Sequence, residues 1–184
     1  PKNAGTSIKE ICNNKLKYNG HGVDVYDKNI KNQLIILRNP MDRFISSVEY
    51  CLQKWSNDPD VKKLLELSIN TPEKWITIWR NKNHRYHQIL MKEILNKNHK
   101  IGNHLIEYKW TYTPQSRWVN KPDYVLIMDN LDNELEIVCK KLNIPFNLKN
   151  KNKTEQSNNN ISKSNLEWIN NFYKEDWELY NKYK

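Results

Sequence analysis

The sequence predicts an α/β domain with a central parallel sheet. Two short unbroken apolar runs, LIILR (34–38) and DYVLIM (123–128), carry that prediction. Each has the length and the lack of alternation of a strand buried on both faces. A third stretch, VDVYD (23–27), alternates as a strand does. Segments of helical period lie before, between and after these runs, and strands interleaved with helices mark parallel pairing through crossovers.

The helices follow in order. Residues 5–16 (GTSIKEICNNKL) put Ile8, Ile11 and Cys12 on one face behind a Gly-Thr-Ser entry. Residues 40–56 open on Pro40, apt for a first turn because its missing N–H would be unpaired there anyway. Met41, Phe44, Ile45, Val48, Leu52 and Trp55 then recur at helical spacing. A helix is expected over 59–68 and a longer one over 72–97, with Trp75, Ile78, Trp79, Tyr86, Ile89, Leu90 and Ile94 as its stripe. Residues 101–121 show no clear period and contain Pro114, with Pro122 just beyond, so a structured loop is expected. Leu131, Leu135, Val138 and Leu142 share a face over 131–142. The Asn/Lys-rich stretch 147–165 reads as a mobile loop, and 164–183, rich in Trp and Tyr, as a closing helix.

The chain has 184 residues, enough for one domain with a real core. Seven Trp and ten Tyr need burial, which excludes a disordered chain. The net charge of +9 suits a polyanionic partner such as nucleic acid, a phosphorylated cofactor or an acidic glycan. It equally suits a solvated surface, and the Asn, Lys and Ile bias of an AT-rich genome would raise the lysine count without any partner. Cys12, Cys51 and Cys139 are odd in number and far apart, so neither a disulfide framework nor a zinc cluster is implied. They read as buried thiols and mildly favour a reducing compartment. No run approaches the ~20 apolar residues of a membrane span. A leader or anchor ahead of Pro1 stays open.

Two stretches carry chemistry. In PKNAGTSI (1–8), Gly5 permits close backbone approach to a ligand, and the N–H groups opening the 5–16 helix favour an anion. Lys2 supplies a point charge, and Thr6 and Ser7 supply hydroxyls. A plain helix cap explains the same residues, and the Walker A pattern is absent. In LIILRNPMDRFISSVEY (34–50), Arg38 ends a strand where ligands bind in open α/β sheets, and Ser46 lies two turns into the next helix. Arg38 and Ser46 together suit a phosphate. Surface pairing of Arg38 and Arg43 with Asp42 and Glu49 is the plainer alternative.

As a pair, PK-x-x-G-T-S and R-N-P-x-x-R-F-x-S resemble the sulfotransferases that use 3′-phosphoadenosine 5′-phosphosulfate (PAPS). They look most like the carbohydrate branch, Golgi-type or viral and bacterial-like, where HIPK-x-x-G-T-S and V-R-N-P-x-x-R-F-x-S are usual. TPQSRW (113–118) resembles a P-Q-S/T element of that branch, 123–142 its segment before the final loop, and NKT (152–154) with YKEDWELY (173–180) its closing loop and helix. The likeness covers nearly the whole chain. It implies a single domain over 1–184 with a P-loop-like three-layer fold, a central parallel sheet flanked by helices. The strand and His-Ile that usually precede the first motif are missing, so the first strand is expected to be lacking ahead of Pro1.

The resemblance also implies roles. Lys2 would act at the bridging oxygen of the leaving nucleotide, with Asn3, Ala4, Gly5, Thr6 and Ser7 around the sulfate and 5′-phosphate. Arg38 and Ser46 would hold the 3′-phosphate, and Lys153 and Thr154 would close over the nucleotide. Gln115 and Trp118 would line the acceptor cleft, although Trp118 serves equally as core. A hydroxyl acceptor needs a base, for which His21 in the GHGVD stretch is the first choice and Asp24 the second. No metal is required, and the product nucleotide is adenosine 3′,5′-bisphosphate. The expected partners are the donor nucleotide and a hydroxyl acceptor, best a glycan, without specific nucleic acid or a transmembrane segment. The compartment would be the Golgi lumen or a membrane surface for a eukaryotic glycan enzyme and the cytoplasm for a viral or bacterial one. The alternatives are a P-loop-like nucleotide or small-molecule kinase, which lacks its Walker lysine motif and Mg²⁺ ligand here, and a basic nucleic-acid-binding module, which leaves the paired motifs unexplained.

Overall fold

A computed structural model describes residues 34–54, 56–57, 59–88, 90, 98–101, 104–107, 114–118, 122–146 and 160–184. Within these the protein is mixed α/β and mostly helical. In chain order the elements are β1 (Leu34–Leu37), α1 (Pro40–Lys54), α2 (Pro59–Glu66), α3 (Pro72–Arg80), β2 (Asn98–Ile101) and β3 (His104–Glu107). A 3-10 turn at Gln115–Trp118 precedes β4 (Tyr124–Ile127), and a second at Met128–Asn130 leads into α4 (Leu131–Lys141). The last two are α5 (Lys163–Phe172) and α6 (Lys174–Tyr183). The helix expected at 5–16 and the strand expected at 23–27 lie outside the described residues.

The chain divides into two compact units, one drawn from Met41–Thr113 and Gln156–Lys174, the other from Lys2–Pro40, Pro114–Glu155 and Glu175–Lys184. The second contains a parallel pair of strands, β1 with β4, in register from Leu34↔Tyr124 to Leu37↔Ile127. Alternation along each strand sends side chains to both faces. On one face Ile36 and Leu126 pack with Leu131, Leu135, Val138 and Cys139 of α4. On the other, Leu37 and Ile127 pack with Tyr180 of α6, flanked by Trp177 and Leu179. Burial on both faces is why LIIL and YVLI read as unbroken apolar runs. Each fully buried Leu contributes roughly 1.5–3 kcal/mol.

The first unit holds α1, α2, α3, α5 and an antiparallel hairpin of β2 with β3. Its core is aromatic. Phe44 is fully buried, with its ring centroid 6.1 Å from that of Trp79 and 6.4 Å from that of Tyr173. Arg43 is equally buried, and its guanidinium lies 5.6 Å from the Tyr173 ring centroid, a cation–π contact rather than a place on the surface. Helix α3 starts as its sequence dictates, with Thr71 Oγ1 accepting from the N–H of Lys74 and Pro72 in the first turn. Buried Asn165 of α5 donates to Glu73 O at 3.2 Å and to Thr77 Oγ1 at 2.7 Å, tying α5 to α3. Burial pushes the Glu73 carboxyl up. Hydrogen bonds from Asn165 and Ser162, with the charge of Arg80, outweigh it and hold Glu73 below its ordinary value.

Four expectations are corrected. The helix expected over 72–97 ends at Arg80, because Asn81 Oδ1 accepts from the N–H of Asn83 and His84 Nδ1 from that of Tyr86. Such local side-chain bonds compete with the helical ladder. The hairpin β2–β3 occupies the start of the loop expected at 101–121. Residues 163–165, assigned to the polar loop of 147–165, form the first turn of α5. The closing helix of 164–183 is two helices, interrupted at Tyr173, which is buried against Phe44. Among the described residues no helix is long and apolar enough to cross a membrane.

Candidate functional site

The carboxyl ends of β1 and β4 bring together the chemically equipped residues of the second unit. Arg38 follows the last paired residue of β1 and stands two residues before Pro40 opens α1. It is half-buried. Its peptide continues beyond the strand ladder and meets a side chain instead: Gln115 Oε1 accepts from Arg38 N at 3.1 Å, and Gln115 Nε2 donates to Arg38 O at 2.8 Å.

Gln115 is only 2% exposed, and its own backbone is fixed. Asp176, buried in the first turn of α6, accepts from the N–H of Gln115 through Oδ2 at 2.7 Å and from that of Ser116 through Oδ1 at 2.8 Å. Ser116 Oγ reaches Glu175 Oε2 at 3.3 Å.

At the end of β4, the 3-10 turn carries Asp129. Tyr180 Oη donates to Asp129 Oδ2 at 2.5 Å, and Lys184 Nζ donates to both, at 3.2 Å each. The Tyr180 bond holds the Asp129 carboxyl below its ordinary value against the pull of burial, helped by Lys184 and by the charge of Arg38. Burial, then the bond to Asp129, pushes the Tyr180 phenol up, while the hydrogen bonds of Lys184 to Tyr180 and then to Asp129 raise the lysine. Nearby, Glu134 of α4 accepts from the N–H of Ile127 at 2.6 Å, so the last residue of β4 is anchored by a side chain as Arg38 is.

Of the residues singled out in the sequence, Arg38 and Gln115 come together here. Ser46 is buried on α1 in the other unit. Trp118 closes the 3-10 turn that begins at Gln115. Lys2, Asn3, Ala4, Gly5, Thr6, Ser7, His21, Asp24, Lys153 and Thr154 lie outside the described residues. The sequence assigned no role to Asp129, Asp176, Tyr180 or Lys184, although Asp176 and Tyr180 stand within YKEDWELY. Only Asp129 carries a local signal, being a carboxylate just past a buried strand. Among the described residues no cluster of His, Cys, Asp and Glu could hold a metal ion.

The class these features define is a mixed α/β protein whose parallel strands end in an arginine and a hydrogen-bonded Asp–Tyr–Lys group. Compared with known proteins, the chain has no significant match among family models, curated proteins or solved structures.

Proposed function

We propose that the protein is a PAPS-dependent sulfotransferase that transfers a sulfuryl group to a hydroxyl acceptor, best a carbohydrate. The carrying observation is Arg38, which stands at the carboxyl end of a parallel strand immediately ahead of a helix opened by Pro40. That is where open parallel sheets bind anionic ligands. It is also where the R-N-P-x-x-R-F-x-S motif requires its arginine. A helix packed on either face of the β1–β4 pair is compatible with a P-loop-like three-layer fold, which belongs to the proposal.

The residues fit a phosphorylated nucleotide as far as Arg38 goes: a guanidinium whose peptide is held offers a directed, charge-assisted contact to a phosphate. In this reading Arg38 binds the 3′-phosphate, while Lys2 and the 3–7 loop, with Thr6 and Ser7, surround the sulfate. Lys153 and Thr154 close over the nucleotide. Trp118 belongs near the acceptor, whereas Gln115, expected beside it, is buried with its amide committed to the Arg38 peptide. His21, or Asp24 in its stead, takes the proton from the acceptor hydroxyl as its oxygen bonds to sulfur. The bond from sulfur to the bridging oxygen breaks, and Lys2 stabilises the charge that builds there. The products are a sulfate ester and adenosine 3′,5′-bisphosphate.

The test is an acceptor screen with labelled PAPS over glycans, a tyrosine peptide and small alcohols. Label on a glycan is expected. Absence of transfer to every hydroxyl, together with no binding of adenosine 3′,5′-bisphosphate, would reject the proposal.

A further inference from the structure

We infer that Gln115 and Asp176 are positioning residues for Arg38, fixing the peptide that carries the proposed phosphate-binding guanidinium. The inference rests on the donor-nucleotide reading above and adds to it two residues that act through a third.

Arg38 is one residue past the last paired register of the sheet, Leu37↔Ile127. There the ladder ends, and the peptide needs partners from elsewhere. A primary amide offers one donor and one acceptor side by side, as a neighbouring strand would. Gln115 uses both on Arg38, accepting from N and donating to O. It extends the sheet by one residue.

An amide on a long side chain is a poor anchor unless its own backbone is held. Asp176 supplies that hold, one buried carboxylate accepting two short bonds from two successive N–H groups. Asp176 stands on α6, whose Tyr180 packs against Leu37, the residue before Arg38, and against Ile127. The helix that packs on the strand ends therefore also grips the turn that clamps Arg38. A guanidinium at the tip of a long side chain magnifies any tilt of its peptide. Misplacement by about 1 Å costs up to about a hundredfold where geometry matters.

The experiment is titration calorimetry of the full chain with adenosine 3′,5′-bisphosphate, comparing the parent with Arg38→Ala, Gln115→Glu and Asp176→Asn, each checked by thermal unfolding. Gln115→Glu keeps the shape but replaces the donor facing Arg38 O by a carboxyl oxygen. That oxygen repels the carbonyl when ionised and donates to it when protonated. Gln115→Glu should bind about tenfold more weakly than the parent at about pH 8 and approach parity at about pH 5. Asp176→Asn should be weakened without such a pH dependence. A purely structural role would lower the melting temperature and leave the affinity ratio flat with pH, which would overturn the inference. Parent-like affinity in both variants, with Arg38→Ala weakened, would overturn it too. No binding by the parent would instead remove the donor-nucleotide reading, and this inference with it. If Gln115→Glu shows no cooperative melt, Gln115→Asn, one methylene short, takes its place. It should bind about tenfold more weakly, and equal affinity would be fatal to the idea.

Discussion

Tyr180 donates a short hydrogen bond to Asp129 across 51 residues of sequence, joining α6 to the end of β4. The phenol ring lies in the apolar cluster with Leu37 and Ile127, while its oxygen meets a carboxylate and Lys184. One side chain thus serves both core and edge, and it makes the pair sensitive to pH.

Asp129 is held below its ordinary value first by the Tyr180 bond, so its contribution has a definite sign. A carboxyl depressed in the folded state adds stability that is complete above the unfolded value, about pH 4, and lost as pH falls through the folded one. Tyr180→Phe removes the donor but keeps the ring. With the Asp129 side chain 43% exposed, water screens the bond, and the loss at neutral pH should be about 1 kcal/mol. Urea unfolding of parent and variant at neutral pH and at about pH 3 reads the difference, which should shrink in acid. A gap of constant size would mean that the bond does not govern the Asp129 titration.

Tyr180 itself should stay protonated above the usual phenol range of about pH 10, because burial and Asp129 both oppose its ionisation. Its raised value adds stability present below about pH 10 and lost as pH rises through the folded value. An ultraviolet phenolate titration of parent against Tyr180→Phe should lack one late-titrating group in the variant. Identical curves would refute the assignment.

Asn165→Ala should destabilise the first unit by about 1–3 kcal/mol, since it strips a buried donor from Glu73 O and Thr77 Oγ1 at once. Exposed Asn171→Ala, on the same helix, should cost far less. Equal losses in a denaturant series would show that the α3–α5 link contributes nothing.

Among the described residues, two helices end in left-handed residues, Ser68 at φ 59° and Asn143 at φ 53°. In both, a bond spans five residues back, Ile69 N to Leu64 O and Ile144 N to Cys139 O, each 2.8–2.9 Å long. Serine pays the steric cost of this conformation more fully than asparagine. Ser68→Gly should therefore raise stability by about 1 kcal/mol and Asn143→Gly by less. Melting temperatures that fall in both variants would contradict the strain argument.

On the proposed sulfotransferase reading, Arg38→Ala should weaken adenosine 3′,5′-bisphosphate binding by about 1.5–3 kcal/mol, the worth of a charge-assisted contact. His21→Ala should cut turnover and leave nucleotide affinity intact. Unchanged turnover would move the base role to Asp24.

The strand LIIL, the helix from Pro40 and the helix from Leu131 were legible because apolar spacing is local and matches one period throughout. The break at Tyr173 was not. Buried positions Asn165, Ile169, Tyr173, Asp176 and Tyr180 keep helical spacing straight across it, so no periodic signal marks the interruption. Helix α3 was overextended for a related reason: apolar residues resume after Asn81, while the polar run between them folds into turns.

The place of Arg38 at a strand end was legible, but its bond to Gln115 was not. The contact spans 77 residues, and that of Gln115 with Asp176 spans 61. Local periodicity reports which face of an element is apolar and carries nothing about which distant polar group will meet it. The sequence by itself determined the apolar runs, the helix starts and the arginine at the edge. The tertiary structure alone decided that β1 lies beside β4, that Asp176 grips the turn at Gln115, and that Tyr180 reaches Asp129. Those pairings arise only when burying both faces of a two-stranded sheet brings the carboxyl ends of its strands and α6 to one place.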